Sequence, residues 1–320
     1  MATTATTNAA AGGAPVALQW TATATARRGV ERFLHDELLE SLSGDYDRDA
    51  LLGATRAVYV LHQDVRYEYT RPVTDLRQRL VILPRARHGD QRRLGHRVRV
   101  HNDGETLLNV RVDEFGNTVL HAKAPSVARA IEFQTRVVLR REGSSIASTK
   151  WHANAQVPTT LTRPDDAIRD AAASLGPVRD VFATADAMSD MIRSAFEYRH
   201  GVTGVRTSAA DAWQLRAGVC QDMAHVMIAM CSSLGIRARY VSGHLVGDGA
   251  SHAWVEVLDA TSGESVAIDP THRRRTDLRY ITTATGRDYR DVAPTSGTYQ
   301  GAGSRGTLRV RKSIRLAEIA

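Results

Sequence analysis

Three residues in the last third of the chain carry side chains that could act together as a nucleophilic site: Cys220, His252 and Asp269. A thiolate can attack an acyl carbon, and an imidazole can take the thiol proton and later return it to the leaving group. A carboxylate beside the imidazole holds its tautomer and orientation. Because these residues are distant in sequence, the elements around them must bring them together.

Cys220 lies where a loop ending in Gly218 passes into an apolar stretch that runs to Leu234. The stretch is apolar on all sides, which predicts a buried helix with Cys220 on its first turn, ended by Gly235 in the left-handed region. The positive end of the helix dipole favours a thiolate, and the free N–H groups of the first turn can hold an oxyanion. The alternative is that Cys220 is a small buried hydrophobe, as many lone cysteines are.

His252 and Asp269 fall at the ends of predicted strands. Residues 238–246 and 253–258 read as a hairpin, and residues 266–268 read as a third strand. If the second and third strands are antiparallel neighbours, the start of one lies beside the end of the other. His252 and Asp269 would then be adjacent at one sheet edge, and the helix packed there would present Cys220 to the imidazole.

These segments resemble the transglutaminase-like core of bacteria, which belongs to the papain-like thiol enzymes. The resemblance is carried by residues 218–225 (GVCQDMAH), 234–243, 251–257 and 269–271, with weaker similarity at 196–198, 205–207 and 286–294. The β-rich half before them, with residues 83–85 and 114–117, resembles the domain that usually precedes this core. The similarity covers about residues 55–315.

The resemblance implies that Cys220 is the nucleophile, His252 the base and Asp269 the residue that orients the base. Family members usually have a second oxyanion donor from a side chain. Gln221 and Trp213 are candidates here, although a packing role is favoured for each. No cofactor is implied. His244 and His272 flank the site and could with His252 suggest a metal, but zinc-like ligand spacing is missing, so we expect no metal. We expect His225 to be a buried structural histidine.

The resemblance also implies a reaction. We expect a cysteine-dependent acyl-transfer enzyme that attacks amide bonds of a peptide or protein substrate through a thioester, with hydrolysis favoured over cross-linking. The alternatives are a transglutaminase or peptide ligase that uses an amine acceptor, and a non-catalytic binding module that retains the fold.

The predicted fold class is α+β, with four parts. Residues 1–26 are rich in Ala, Thr and Gly and read as a disordered tail, and residues 27–54 read as a helical extension. Residues 55–157 alternate with period two between turn signals, which predicts an antiparallel β-sandwich-like domain. Residues 158–320 form the predicted core, a buried helix on an antiparallel sheet, with C-terminal strands.

Composition limits the partners. Net charge is +7, but only three of the 42 basic residues are lysines, and the arginines are spread along the chain without interleaved aromatics. We therefore expect no nucleic-acid partner.

Two cysteines make no disulfide framework, and free thiols favour a reducing compartment, so we expect a cytoplasmic protein. The start of the chain lacks signal-peptide features, and no apolar run approaches the ~20 residues of a membrane span, so we expect no membrane partner. The sequence does not indicate the oligomeric state.

Overall fold

A computed structural model describes residues 16–21, 48–143, 146–147, 151, 157–248 and 251–320. The chain folds as two compact units of α+β character. Unit 1 contains the described residues up to Arg87, together with Gln91–Glu142 and Ala293–Ala320. Unit 2 contains His88–Asp90 and the described residues of Gly143–Val292.

Most of the helices belong to unit 2, and most of the residues of unit 1 are in strands. The strands are β1 Val16–Thr21, β2 Arg56–Tyr69, β3 Val73–Leu83, β4 Arg87–His88, β5 Gln91–Asn102, β6 Leu107–Val112, β7 Thr118–Val127, β8 Ala130–Glu142, β9 Ile146–Ala147, β10 Glu197–Tyr198, β11 Ala217–Gly218, β12 Arg237–Leu245, β13 Ser251–Leu258, β14 Ser265–Asp269, β15 Arg274–Arg275, β16 Tyr280–Gly286, β17 Thr295–Gln300 and β18 Gly306–Ile319. The helices are α1 Arg48–Gly53, α2 Asp166–Ala173, α3 Val181–Ala195, α4 Ala209–Leu215, α5 Cys220–Ser233 and α6 Tyr289–Val292.

Unit 1 is built from two antiparallel sheets, which confirms the predicted sandwich-like domain. One sheet has the order β1-β5-β8-β2-β18 and the other has the order β17-β3-β7-β6. The period of two places alternate side chains in the core, so Leu61, Phe133 and Val137 are fully buried. The strands of this unit are held in register over long antiparallel pairings, of which β2 with β8 spans Arg56 to Glu68.

Three boundaries differ from those predicted. The β-rich domain, predicted to run to residue 157, gives way to unit 2 after Glu142. The C-terminal strands, assigned by sequence to the core at 158–320, belong to unit 1, because β18 pairs with β2 and β17 pairs with β3. Residues 16–21, assigned to a disordered tail, form β1 on β5, since the segment VALQWT alternates within its Ala/Thr-rich surroundings. In the predicted helical extension, residues 48–53 form α1. The remainder of the extension, 27–47, lies outside the described residues.

Unit 2 places α5 at its centre. Residues of α5 from Met223 to Cys231 are buried, as the apolar pattern predicts, and the helix packs on β12, β13 and the helices α2, α3 and α4. The sheet has the order β15-β14-β13-β12-β16, with β9 on β14, and its pairings are antiparallel. Gly235 follows α5 with φ of 70°, which is the predicted left-handed stop.

A glycine in the sheet of unit 2 allows neighbouring groups to pack closely beside the predicted site. Gly243 lies opposite His252 in the β12–β13 pair and at the irregularity in the β12–β16 pair. A Cβ at this position would lie 2.1 Å from the Ile281 carbonyl oxygen and 2.5 Å from the Trp254 ring. Glycine is therefore required for β16 and Trp254 to approach the β12 backbone this closely. Within the part of the chain that the structure describes, no helix is long and apolar enough to span a bilayer.

Candidate active site

Cys220 is the first residue of α5, and a buried carboxylate fixes the turn that presents it. Asp222 accepts the Val219 N–H at 2.8 Å and the Thr203 hydroxyl at 2.7 Å. Burial raises the pKa of Asp222, although these hydrogen bonds oppose the shift. A Cβ on Gly218 would lie 2.6 Å from an Asp222 carboxylate oxygen, so the residue before Val219 must be glycine for this cap to form.

His252 and Asp269 meet at one edge of the sheet, as the strand pattern predicts. His252 is the second residue of β13 and Asp269 ends β14, and His252 Nε2 lies 2.7 Å from Asp269 Oδ2. The Cys220 side chain lies close enough to His252 to raise the pKa of the imidazole. Since Nε2 faces the carboxylate, Nδ1 is the nitrogen left for the thiol. The structure therefore brings the three predicted residues together, in the order thiol, imidazole, carboxylate.

Asp269 holds two further side chains that the sequence did not single out for this role. Oδ2 also accepts the Tyr280 hydroxyl at 2.7 Å and lies 2.7 Å from His272 Nδ1, while Oδ1 accepts the Thr271 N–H at 2.9 Å. Tyr280 in turn accepts from Arg274 Nε at 2.8 Å. For His272, the sequence indicates only that it follows Asp269 by three residues. Tyr280 begins β16, a strand that the alternation of apolar residues does not predict.

These contacts set the charges of the pair. Burial opposes ionisation of Asp269, but hydrogen bonds from His252, His272 and Tyr280 outweigh it and hold the pKa of the carboxyl well below its usual range. Burial likewise opposes a charged His252, but the hydrogen bonds to Asp269 and Cys220 raise its pKa to about 10. The site is therefore built to hold an imidazolium between a carboxylate and a sulfur at neutral pH.

One group of these side chains could also hold a cation. The donor atoms of His252, Asp269 and His272 lie within 4.8 Å of one another. A cation there would replace the hydrogen bonds that both imidazoles make to Asp269 Oδ2, and these bonds already account for the arrangement. His244, which the sequence grouped with them, lies on β12 opposite Ser251 and is not a member of this group.

The remaining candidates are engaged elsewhere. Gln221 donates from Nε2 to the Gly204 carbonyl at 3.3 Å. Trp213 is buried, with the Arg216 guanidinium 3.5 Å from its ring centre. His225 is buried and accepts the Tyr289 N–H at 3.2 Å, and burial lowers its pKa to about 4, so it is neutral. These are the contacts of packing residues.

Two protein families match successive parts of the chain. Residues 59–140 match the bacterial transglutaminase-like N-terminal region, and residues 169–270 match the transglutaminase-like superfamily. Cys220, His252 and Asp269 all lie in the second range. Together the two ranges cover more than half of the chain.

Sequence relatives are found in mycobacteria. The uncharacterized protein ML0607 of Mycobacterium leprae is 42% identical over 135 residues, which are 39% of this chain and 47% of that protein. The uncharacterized protein Rv2569c of Mycobacterium tuberculosis is 36% identical over 147 residues, 41% of this chain and 47% of that protein. The chain thus spans about half the length of the curated relatives that it matches.

A solved structure shares the fold. The protein described as a "putative cysteine protease" from Cytophaga hutchinsonii superimposes with a TM-score of 0.63 at 21% identity, over 82% of this chain and 98% of that one. This likeness concerns the fold alone. The chain thus carries, in this order along the sequence, a bacterial transglutaminase-like N-terminal region and a region of the transglutaminase-like superfamily.

Proposed function

We propose that this protein is a cysteine-dependent acyl-transfer enzyme that acts on amide bonds of a peptide or protein. Cys220 is the nucleophile, His252 the general base and acid, and Asp269 the residue that orients His252. One observation carries the proposal: His252, hydrogen-bonded to the Asp269 carboxylate at 2.7 Å, lies beside the thiol on the first residue of a buried helix. An activated thiol requires this grouping of carboxylate, imidazole and sulfur.

The reaction would run in two halves. His252 holds the proton of the Cys220 thiol as the sulfur bonds to the carbonyl carbon, and the oxyanion faces the Cys220 N–H at the start of α5. Collapse breaks the C–N bond as His252 gives its proton to the leaving amine, which leaves a thioester on Cys220. His252 then takes a proton from an acceptor, the acceptor displaces the sulfur, and the proton returns to the thiol.

Water is the acceptor that we favour, which makes the enzyme a hydrolase, because bacterial proteins that resemble this chain are generally regarded as hydrolases. Cytoplasmic location belongs to the same proposal. Cys220 and Cys231 are both free thiols, and an enzyme that works through a free thiol suits a reducing compartment.

Replacement of the nucleophile tests the proposal. Cys220→Ala should abolish hydrolysis of a peptide library and labelling by a thiol-directed acyl probe. Cys231→Ala is the matched control, since Cys231 lies on the same helix but is fully buried, and it should leave both readouts near those of the wild type. Equal labelling of the wild type and Cys220→Ala would remove Cys220 from its role.

A second experiment tests whether water or an amine is the acyl acceptor. With a peptide that the wild type cleaves, a primary amine is added and the products are separated by mass. We expect the acid to dominate, and an amide product that rises with amine concentration and replaces the acid would identify an amine-dependent acyltransferase instead. Tight peptide binding by wild type and Cys220→Ala alike, without turnover, would identify a binding module.

A further inference from the structure

A tetrahedral oxyanion on Cys220 needs more than the one N–H that the helix start offers, because each donor in such a site contributes separately. The two side chains nearest in sequence that could serve are unsuited. Gln221 is bonded to the Gly204 carbonyl, and Trp213 is buried beneath Arg216. The second donor therefore has to come from another element that reaches the start of α5.

The short strand β10 reaches this point. It pairs in parallel with β11, with Glu197 level with Ala217 and Tyr198 level with Gly218. The pairing is held by the Glu197 N–H to the Arg216 carbonyl at 2.8 Å and the Arg199 N–H to the Gly218 carbonyl at 2.9 Å. The two-stranded ladder thus fixes Tyr198 beside the residues that lead directly into the nucleophile.

The Tyr198 side chain lies close to Cys220. Burial raises the pKa of its hydroxyl first, and both the side chain and the backbone of Cys220 influence that pKa, which places the hydroxyl near the start of α5. The ring of His200 packs edge-on against the Tyr198 ring, with ring centres 5.3 Å apart, and supports its orientation. Tyr198 is 39% exposed.

We propose that the Tyr198 hydroxyl is the second oxyanion donor of this site, acting beside the Cys220 N–H; the assignment rests on the function proposed above. When the carbonyl oxygen enters, it accepts the Cys220 N–H, and the Tyr198 O–H turns to donate to the same oxygen. No bond to tyrosine is made or broken, and the hydroxyl returns when the intermediate collapses.

The protonation state of Tyr198 agrees with this role. Burial raises its pKa to about 12, and the nearby Cys220 adds to the shift. The hydroxyl therefore keeps its proton throughout the neutral range and is available as a donor.

Tyr198→Phe separates this role from a structural one, because it removes the donor and keeps the ring. Two reactions of Cys220 are compared: acylation by a p-nitrophenyl ester, which passes through an oxyanion, and alkylation by iodoacetamide, which does not. We expect acylation to slow by about 10²-fold, the usual effect of losing one such donor, while alkylation stays within about twofold. Tyr299→Phe, at a tyrosine that is 36% exposed in unit 1, should change neither rate.

The other outcomes overturn the assignment. Unchanged acylation in Tyr198→Phe would show that the hydroxyl contributes nothing, and faster acylation would show that it blocks the oxyanion position. Equal loss of acylation and alkylation would show a general role in holding the site. If the wild type is alkylated at Cys220 but never acylated, the proposed function itself fails, and the tyrosine assignment fails with it.

Discussion

At the scale of single residues, Asp269 organises the site. One of its carboxylate oxygens meets His252, His272 and Tyr280, each at 2.7 Å. The sequence predicts the contact with His252, because both residues lie at ends of strands whose alternation is clear. It does not predict the contacts of His272 and Tyr280, since these depend on the turn after β14 and on the path to β16, which local patterns do not specify.

The His252–Asp269 pair makes stability depend on pH. The pKa of His252 is raised from 6.5 to about 10, so its contribution to the free energy of unfolding is complete below pH 6.5 and is lost as pH rises towards 10. The pKa of Asp269 is lowered from 3.8, so its contribution is present above pH 4 and is lost in more acidic solution. We expect the wild type to lose stability relative to His252→Gln between pH 6.5 and 10.

Urea unfolding of both proteins at pH 5.5 and pH 9.5 measures this change, since subtracting the variant removes the titration of all other groups. A difference in unfolding free energy that is the same at both pH values would contradict the raised pKa. The variant Thr283→Val, at a residue on β16 outside the pair, is expected to give a constant difference.

At the scale of elements, the junction of β10, β11 and α5 determines where Cys220 lies. Caps with sequence signatures were predictable: Ser208 and Asp211 form a capping box at α4, and Gly235 ends α5. The helix α3 begins at Val181, where the Asp180 carboxylate accepts the Phe182 and Ala183 N–H groups. The two-residue strand β10 could not be predicted, since it is too short to show a period.

Gly218→Ala tests this junction. The added Cβ would meet the Asp222 carboxylate at 2.6 Å, so Asp222 must leave the Val219 N–H or the chain before Cys220 must shift. We expect a loss of about 1–3 kcal/mol in unfolding free energy, as for overpacked sites, and a large fall in Cys220 acylation. Gly204→Ala is the control, because a Cβ there meets nothing within 4 Å, and it should leave acylation unchanged. Equal behaviour of both variants would argue against the close contact.

At the scale of the whole molecule, the chain returns to unit 1 after completing unit 2. Strand β18 pairs with β2 from Gly306 to Ile319, so two segments that are far apart in the sequence lie side by side. The alternation in each strand is visible in the sequence, but the pairing is not, because nothing local records which distant strand is the neighbour. This explains why the predicted boundary placed residues 293–320 with the core.

Deletion of residues 306–320 should therefore damage unit 1 rather than unit 2. It exposes the backbone edge of β2, and unpaired apolar edges pair with other chains. We expect the truncated protein to self-associate, as measured by sedimentation velocity, while the double variant Leu308→Ser/Val310→Ser, which alters two exposed side chains but keeps the strand, stays as dispersed as the wild type. A truncated chain that sediments like the wild type would contradict the structural role of β18.

The two cysteines differ in solvent accessibility, which gives a test of whether a preparation is native. Cys220 reaches the surface with 9% of its area, whereas Cys231, deeper in α5, is completely enclosed. A chromogenic disulfide reagent such as Ellman's should therefore count one sulfhydryl per chain in a native sample and two after denaturation. A native count above one reports unfolded chains, and a native count below one reports a Cys220 thiol that is oxidised or blocked.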